Sequence, residues 1–344
     1  MPIPLINERN DMNSIDHSER KHTKLSASKI GTLALCPGKL NAEAAFPPEP
    51  AGEAALRGTA VHETSELIFA GMQIPEDTPD DIVQEARAYV DAVMQRTEKS
   101  KKRFIELNVT EALRDIHPDL GGMSDMVAIG NGELLIADLK TGRIQIEPDS
   151  PQNKTYALGA ALTLNAPKDI KVKLAVYQQG WRETEISYDE LMDWREELVR
   201  IAKNATDPNA PRIAGDEQCR YCRARSTCST LHEKAISVAK SEFTRIDAQT
   251  IEDAKLCQVF AESVLSKAVE QLQAEPSSIA GWKLREGRRM VSWKDRAMAE
   301  AILANNMDAW ELKSASAVQK LGVTLPDGIV EEKRSAPSLV KAKE

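Results

Sequence analysis

Residues Gly121 to Lys140 read GGMSDMVAIGNGELLIADLK, and this stretch decides the fold. Apolar residues flank Asn131-Gly132 on both sides. Asn-Gly is the strongest short signal for a two-residue hairpin, because both turn positions need φ > 0. With that turn the two strands lie in a register that sets Asp125 opposite Asp138. Lys140 stands two residues beyond Asp138 and so points to the same side of the sheet. Two carboxylates and an ammonium therefore share one face of an otherwise apolar hairpin. Like charges directly opposite one another are destabilising. A divalent cation between them removes that penalty, and hard cations such as Mg²⁺ are held by one or two carboxylates plus substrate phosphates. From local geometry the leading expectation is a metal-dependent phosphodiester site. The alternative is a solvated sheet face with a surface Asp–Lys pair, since a one-residue register slip turns a strand over.

Outward from the hairpin, the chain alternates helical and extended patterns. A short helix is expected from Leu25 to about Leu35, ended by Cys36-Pro37-Gly38. Residues 52–70 form a strong helical pattern on which Gly58, His62 and Glu66 share a face, being four apart. A second helix covers 79–98. RFIELNVT, residues 103–110, reads as a strand ahead of the hairpin. An alanine-rich helix follows over 152–164, then a strand over 169–178. The order α-β-β-β-α-β places the last strand parallel to an earlier one, because it is reached through a helix. Ser187 and Glu190 form a capping box opening a helix to about Asn204. Further helices are expected near 229–243, 250–274, 294–304 and 312–320. Trp282 to Trp293 reads as a small hairpin.

Length, charge and cysteine usage narrow the class. The chain has 344 residues, 42% hydrophobic and 28% charged, enough for about two domains of ordinary globular composition. No apolar run is long enough to span a membrane. The first residues are polar and lack an apolar signal core, which points to the cytoplasm. The formal charge of −8 argues against a general basic coat for nucleic acid, though not against a local basic channel. Basic clusters occur at 99–103, at Arg220, Arg223 and Arg225, and at 283–294. Of the five cysteines, Cys219, Cys222 and Cys228 lie close together. That spacing reads as a metal or redox site rather than a disulfide framework. Cys257 falls on an apolar helix face and is expected in the core.

Gly58-x₃-His62-x₃-Glu66, Gly122-x₂-Asp125, Asp138-x-Lys140 and Gln152-x₃-Tyr156 occur in that order. Together they resemble the PD-(D/E)xK nuclease superfamily, in its RecB-like branch, over roughly residues 25–230. Cys36 upstream and Cys219, Cys222 and Cys228 downstream look like the iron–sulfur subclass, which includes AddB-type recombination nucleases and CRISPR-adaptation exonucleases. The whole chain also resembles a phage-associated family of uncharacterised proteins carrying this core.

The resemblance implies a restriction-endonuclease-like α/β fold: a mixed sheet flanked by helices, with helical additions and a C-terminal α+β extension. It implies a disordered segment at 1–24, a nuclease core with a cysteine clasp at 25–232, a helical and hairpin region at 233–329, and a tail at 330–344. Asp125, Asp138, Lys140, Gln152 and Tyr156 become candidate catalytic residues. Asp125, Asp138, the Leu139 backbone carbonyl and His62 become ligands for Mg²⁺ or Mn²⁺, with Glu66 supporting His62. The four cysteines would hold a structural 4Fe–4S cluster, or Zn²⁺ with the same ligands. The implied activity is a DNA exonuclease acting on linear or single-stranded ends in phage or prophage recombination, in the cytoplasm of a bacterial host. No helicase P-loop is present, so a helicase, recombinase or annealing protein is the expected partner. Arg285, Arg288 and Arg289 are candidate DNA contacts. The alternatives are a non-catalytic DNA-end-binding scaffold and a zinc-bearing interaction module; an RNA substrate fits the same chemistry.

Overall fold

Asn131 and Gly132 turn the chain with φ of 52° and 78°, the left-handed values of a two-residue type I′ turn. The register that follows pairs Gly130 with Glu133 and Met126 with Ala137, as the Asn-Gly position requires. The computed structural model describes residues 5–7, 23–242 and 245–284. The chain divides into two compact units, Met1–Lys283 and Leu284–Glu344. Of the second unit only Leu284 is among the described residues. The expected hairpin at 282–293, the helices at 294–304 and 312–320 and the tail at 330–344 thus lie outside them beyond that point.

In chain order the elements are β1 (Leu5–Asn7), β2 (Leu25–Ser26), a 3₁₀ turn (Ala27–Lys29), α1 (Ile30–Leu35), α2 (Lys39–Glu43), α3 (Glu53–Phe69) and α4 (Asp80–Arg96). Then come β3 (Lys102–Asn108), α5 (Thr110–Leu113), β4 (Leu120–Gly121), β5 (Met123–Gly130), β6 (Glu133–Leu139), α6 (Pro151–Thr163), β7 (Lys171–Tyr177) and β8 (Trp181–Ile186). The chain continues through α7 (Tyr188–Thr206), α8 (Asp216–Arg220), α9 (Ser229–Ala239) and α10 (Ala248–Ala274). One mixed sheet runs β1-β3-β5-β6-β7-β8. β3, β5 and β6 form an antiparallel meander, and β7 returns parallel to β6 through α6. This is the α/β, restriction-endonuclease-like arrangement of a mixed sheet flanked by helices.

β6 lies inside the sheet and is buried on both faces, as its nearly continuous apolar run requires. Leu134 and Ile136 join the cluster that contains Tyr156 and Ala160 of α6 and Leu191 and Leu198 of α7. Leu135, Ala137 and Leu139 join the opposite cluster with Val61 of α3 and Tyr89 and Val93 of α4. Each fully buried Leu or Ile here contributes about 1.5–3 kcal/mol relative to exposure. α7 begins at the expected capping box: Glu190 N–H donates to Ser187 Oγ (3.1 Å), and Ser187 N–H donates to Glu190 Oε2 (2.7 Å).

The structure departs from the sequence expectation at several places. Leu25–Ser26 does not open a helix; it pairs in parallel with Leu120–Gly121, and the α-helix starts only at Ile30. Leu5–Asn7, expected within a disordered segment, lies parallel to Arg103–Ile105. β8, WRETEI, pairs antiparallel with β7 and has no apolar alternation to betray it, because it is a charged edge strand. The segment 233–274, assigned by sequence to a separate region, shares a core cluster with Cys219 and Leu231 through Ala235, Leu256 and Val259.

α6 lies so close to the chain after β3 that a Cβ on Gly159 would stand 2.5 Å from Val109 Cβ. Gly159→Ala is therefore expected to overpack this contact, at a cost of about 1–3 kcal/mol. Thermal unfolding should show a midpoint several degrees below wild type; an unchanged midpoint would mean that α6 can slide.

Candidate active site

β5 and β6 carry the charged residues past the last apolar pair, Met126↔Ala137. Asp125 turns its Oδ2 to the neighbouring strand, where it accepts the Leu139 N–H at 2.8 Å. Asp138 is only 2% exposed. Its Oδ1 accepts from Lys140 Nζ at 3.0 Å and from Gln152 Nε2 at 2.9 Å. Its Oδ2 lies 2.8 Å from the same ammonium and accepts no hydrogen bond among the described residues. The Lys140 N–H donates to Tyr177 O at 2.9 Å, which fixes the end of β6 against β7.

Helices from both faces of the sheet meet this point. His62 of α3 places Nδ1 3.5 Å from Asp125 Oδ2. Glycine lets α3 come this close, since a Cβ on Gly58 would stand 3.0 Å from Thr141 Oγ1. Glu66, one turn beyond His62, is 9% exposed. α6 starts at Ser150, whose Oγ accepts from Asn153 N–H, and its first turn delivers Gln152. Tyr156, one turn further on, lies against Gly122, where φ is 155° and a Cβ would stand 3.0 Å from the tyrosine ring. From the other face, Tyr89 of α4 donates its hydroxyl to Ala137 O at 3.1 Å. The sequence-predicted residues Asp125, Asp138, Lys140, Gln152, Tyr156 and His62 thus converge on one place.

A further buried carboxylate, on the neighbouring strand, was not expected. Glu106 interrupts β3 with φ of 55°, between the pairs Ile105↔Met126 and Leu107↔Ser124, and is 5% exposed. The sequence signal was a glutamate inside the run Phe104–Leu107, a position at which a buried strand normally carries an apolar side chain. Burial pushes the Tyr156 and Tyr89 phenols well above their ordinary range, and the charges of Asp125, Asp138 and Glu106 push both further up. Both phenols remain protonated. Burial also raises Asp138, reinforced by Asp125 and opposed by Lys140. Lys140 is pulled down by burial, but Asp138 and Asp125 more than offset this, so its net shift is upward. It therefore stays an ammonium at neutral pH.

The cysteines come together elsewhere in the same unit. Cys36 closes α1, Cys219 lies in α8, and Cys228 immediately precedes α9. Cys36 Sγ accepts the Ile213 N–H at 3.3 Å. Burial raises the Cys219 thiol, with Cys36 and Cys228 adding to the shift. Burial likewise pushes Cys222 up to about 11. Around them, Arg223 donates to Phe46 O (2.8 Å) and its N–H to Glu43 Oε1 (3.2 Å), and Arg225 pairs with Glu49 (3.3 Å). Residues 36–49 and 207–225 are thus tied together. Cys257, expected in the core, is only partly buried and packs against the edge of the cluster formed by Cys219, Leu231, Ala235, Leu256 and Val259.

A family model described as a protein of unknown function, DUF2800, matches residues 22–341. The chain belongs to the DUF2800 family. No curated protein matches it. The carboxylate centre and all five cysteines of this DUF2800 protein fall inside the matched span. So do Arg285, Arg288 and Arg289, which lie outside the described residues.

Among the described residues, no three His, Cys, Asp or Glu side chains stand close enough to form a ready-made metal cage. The donor sets still differ in what they fit. Asp125 and Asp138 have the chemistry of the one or two carboxylates by which a hydrated hard cation is held beside substrate phosphates, with both Asp138 oxygens within 3.0 Å of the Lys140 ammonium. The His62 ring nitrogen would favour Mn²⁺ at the same place. Cys36, Cys219, Cys222 and Cys228 carry the sulfur donors that a 4Fe–4S cluster or Zn²⁺ takes, though among the described residues they do not stand as a ready-made cage.

Lys140→Met leaves the Asp138 carboxylate buried without its counter-charge. In EDTA it is expected to cost about 2–4 kcal/mol, by the logic of a broken buried pair. Mg²⁺, binding the folded state, should then restore more of the melting temperature in the variant than in wild type. A variant that melts alike with EDTA and with Mg²⁺ would show that no divalent cation replaces the lost ammonium.

Proposed function

We propose that this DUF2800 protein is a metal-dependent deoxyribonuclease, an exonuclease acting on linear DNA ends, with Cys36, Cys219, Cys222 and Cys228 holding a structural 4Fe–4S cluster. The observation that carries the reading is the opposed pair Asp125 and Asp138, with Lys140 and Gln152 both bonded to Asp138. A structural ion pair needs one carboxylate. This centre sets two, Asp125 and Asp138, beside one lysine and a partly exposed histidine.

Asp125, Asp138, the Leu139 carbonyl and His62 would hold Mg²⁺ or Mn²⁺. When bound, such an ion lowers the pKa of a coordinated water and stabilises charge on the phosphoryl oxygens. Lys140, held protonated by its carboxylate neighbours, orients the attacking water and donates to the oxygens on which charge develops; it does not act as a free base. Gln152 keeps Asp138 and Lys140 in one geometry by bonding to the carboxylate oxygen that Lys140 also contacts. Tyr156 packs behind Gln152 and restricts its rotamer. Tyr89 fixes the backbone of β6 one residue before Asp138. The setting that fits is phage or prophage DNA recombination or replication in a bacterial cytoplasm, with a helicase or annealing protein preparing the ends. Among the described residues no helix is long and apolar enough to cross a membrane.

The test uses anaerobically purified protein with end-labelled linear and closed-circular DNA, single- and double-stranded, in Mg²⁺ or Mn²⁺. Loss of linear DNA alone is expected. Asp138→Asn should reduce it to background and Lys140→Ala by about 10²–10³-fold, the scale for removing one donor to a charged transition state. Cleavage of circles would move the assignment to an endonuclease. Binding without cleavage by intact protein would favour a DNA-end scaffold. Iron with acid-labile sulfide, lost on Cys219→Ser, is expected from metal analysis; zinc without sulfide would overturn the cluster assignment.

A further inference from the structure

Residues Thr141 to Ser150 join Lys140 to Gln152, the two residues bonded to Asp138, and contain no helix or strand. Side chains from outside the segment fix its shape instead. Gln178 follows the last residue of β7 and donates Nε2 to Gly142 O (2.6 Å) and Ile144 O (2.8 Å). Its Oε1 accepts from Ile146 N–H (3.1 Å) and from Arg182 Nη2 (2.9 Å). A carboxamide has two N–H donors and two lone pairs, so every one of them is used, three on this segment. Asn153, fully buried, donates to Pro148 O (3.0 Å) and Ala175 O (3.3 Å) and ties down the other end. Thr141 lies against Gly58 of α3.

This anchoring is more than a connection between two elements needs, and it holds an exposed tip. Gly142, Arg143, Ile144 and Gln145 are exposed, Ile144 at 48%. Arg143 makes no hydrogen bond or ion pair among the described residues. It follows Lys140 by three residues, so the two Cα atoms are at most about 11 Å apart. A rigid loop thus presents a guanidinium and an apolar side chain beside the Asp138 centre. An arginine fork matches phosphate, and an exposed aliphatic tip suits the sugar and base faces of an unpaired strand.

We propose that Thr141–Ile146 is the strand guide of the site: Arg143 takes a backbone phosphate of a single DNA strand, and Gln178 is the positioning residue that holds the guide in place. The proposal rests on the nuclease reading above, and its test separates the two. Full-length Asp138→Asn protein is titrated with a fluorescent single-stranded oligonucleotide at several salt concentrations. Adding Arg143→Gln should weaken Kd about fivefold at low salt and reduce the slope of log Kd against log salt by about 0.7, the value for one lost phosphate contact on a single strand. Adding Gln178→Ala should weaken binding in the same direction and speed amide exchange at Ile146 about tenfold. The combination should bind no more weakly than Arg143→Gln does, since Gln178 acts through Arg143. Losses that multiply in the combined variant, or an Arg143→Gln variant with unchanged Kd and slope, would overturn the guide while leaving the nuclease reading intact. No binding by the parent Asp138→Asn protein, with its fold verified by circular dichroism, would sink both.

Discussion

Two carboxylates facing each other at the end of a buried hairpin set the terms for the structure around them. Asp125 and Asp138 come from adjacent strands of a sheet packed on both faces, and Asp138 is almost wholly buried, so solvent screens their repulsion only from the Asp125 side. Only one of them is neutralised within reach, by Lys140, whose ammonium lies within 3.0 Å of both Asp138 oxygens. Asp125 is met by a backbone N–H and by a histidine 3.5 Å away. An all-protein solution would have replaced at least one of these acids with an apolar residue, because buried ion pairs are seldom better than a hydrophobic substitute. The arrangement is intelligible if the missing positive charge arrives with a cation and the phosphate it accompanies.

The layers of the fold follow from that need. α3 and α4 cover one face and supply His62 and Tyr89; α6 and α7 cover the other, and α6 supplies Gln152 and Tyr156. The centre sits where both layers reach the same strand ends, so no single element carries it. The glycines mark how tightly the layers close: Gly58 brings α3 against Thr141, and Gly122 makes room for the Tyr156 ring. The two phenols line the carboxylates without competing for a proton, since burial and negative neighbours keep both neutral.

What could be read in the sequence was local chemistry with a strict geometric consequence. Asn131-Gly132 fixed the turn, the turn fixed the register, and the register set Asp125 across from Asp138. Ser187 and Glu190 likewise announced the start of α7. What could not be read was non-local or charged. β8 is an edge strand whose polar residues resemble a loop. Leu25 and Leu120 form a two-residue bridge between segments far apart in the chain. Glu106 was hidden because a left-handed φ in mid-strand has no signature when the residue is not glycine. The use of Gln178 was invisible too, because its four bonds are made to backbone groups and to Arg182, none of which any pattern names.

The basic clusters show how far charge counting can mislead about nucleic acid. Arg103 is buried and donates to Thr97 Oγ1 (2.7 Å) and to the Thr97 carbonyl (2.6 Å). Arg220 pairs with Asp216, Arg223 with Glu43 and Arg225 with Glu49. Arg223 and Arg225 close the cysteine segment onto residues 43–49, so removing them would loosen that closure before it weakened any phosphate contact. In a chain of net charge −8, long-range attraction does not draw a polyanion to the surface as a whole. On the proposed reading, affinity for DNA among the described residues would then come from the few cations near the centre that are not already engaged. By that criterion Arg143, on a loop anchored at both ends, matters more than the arginine-rich stretch around Cys222.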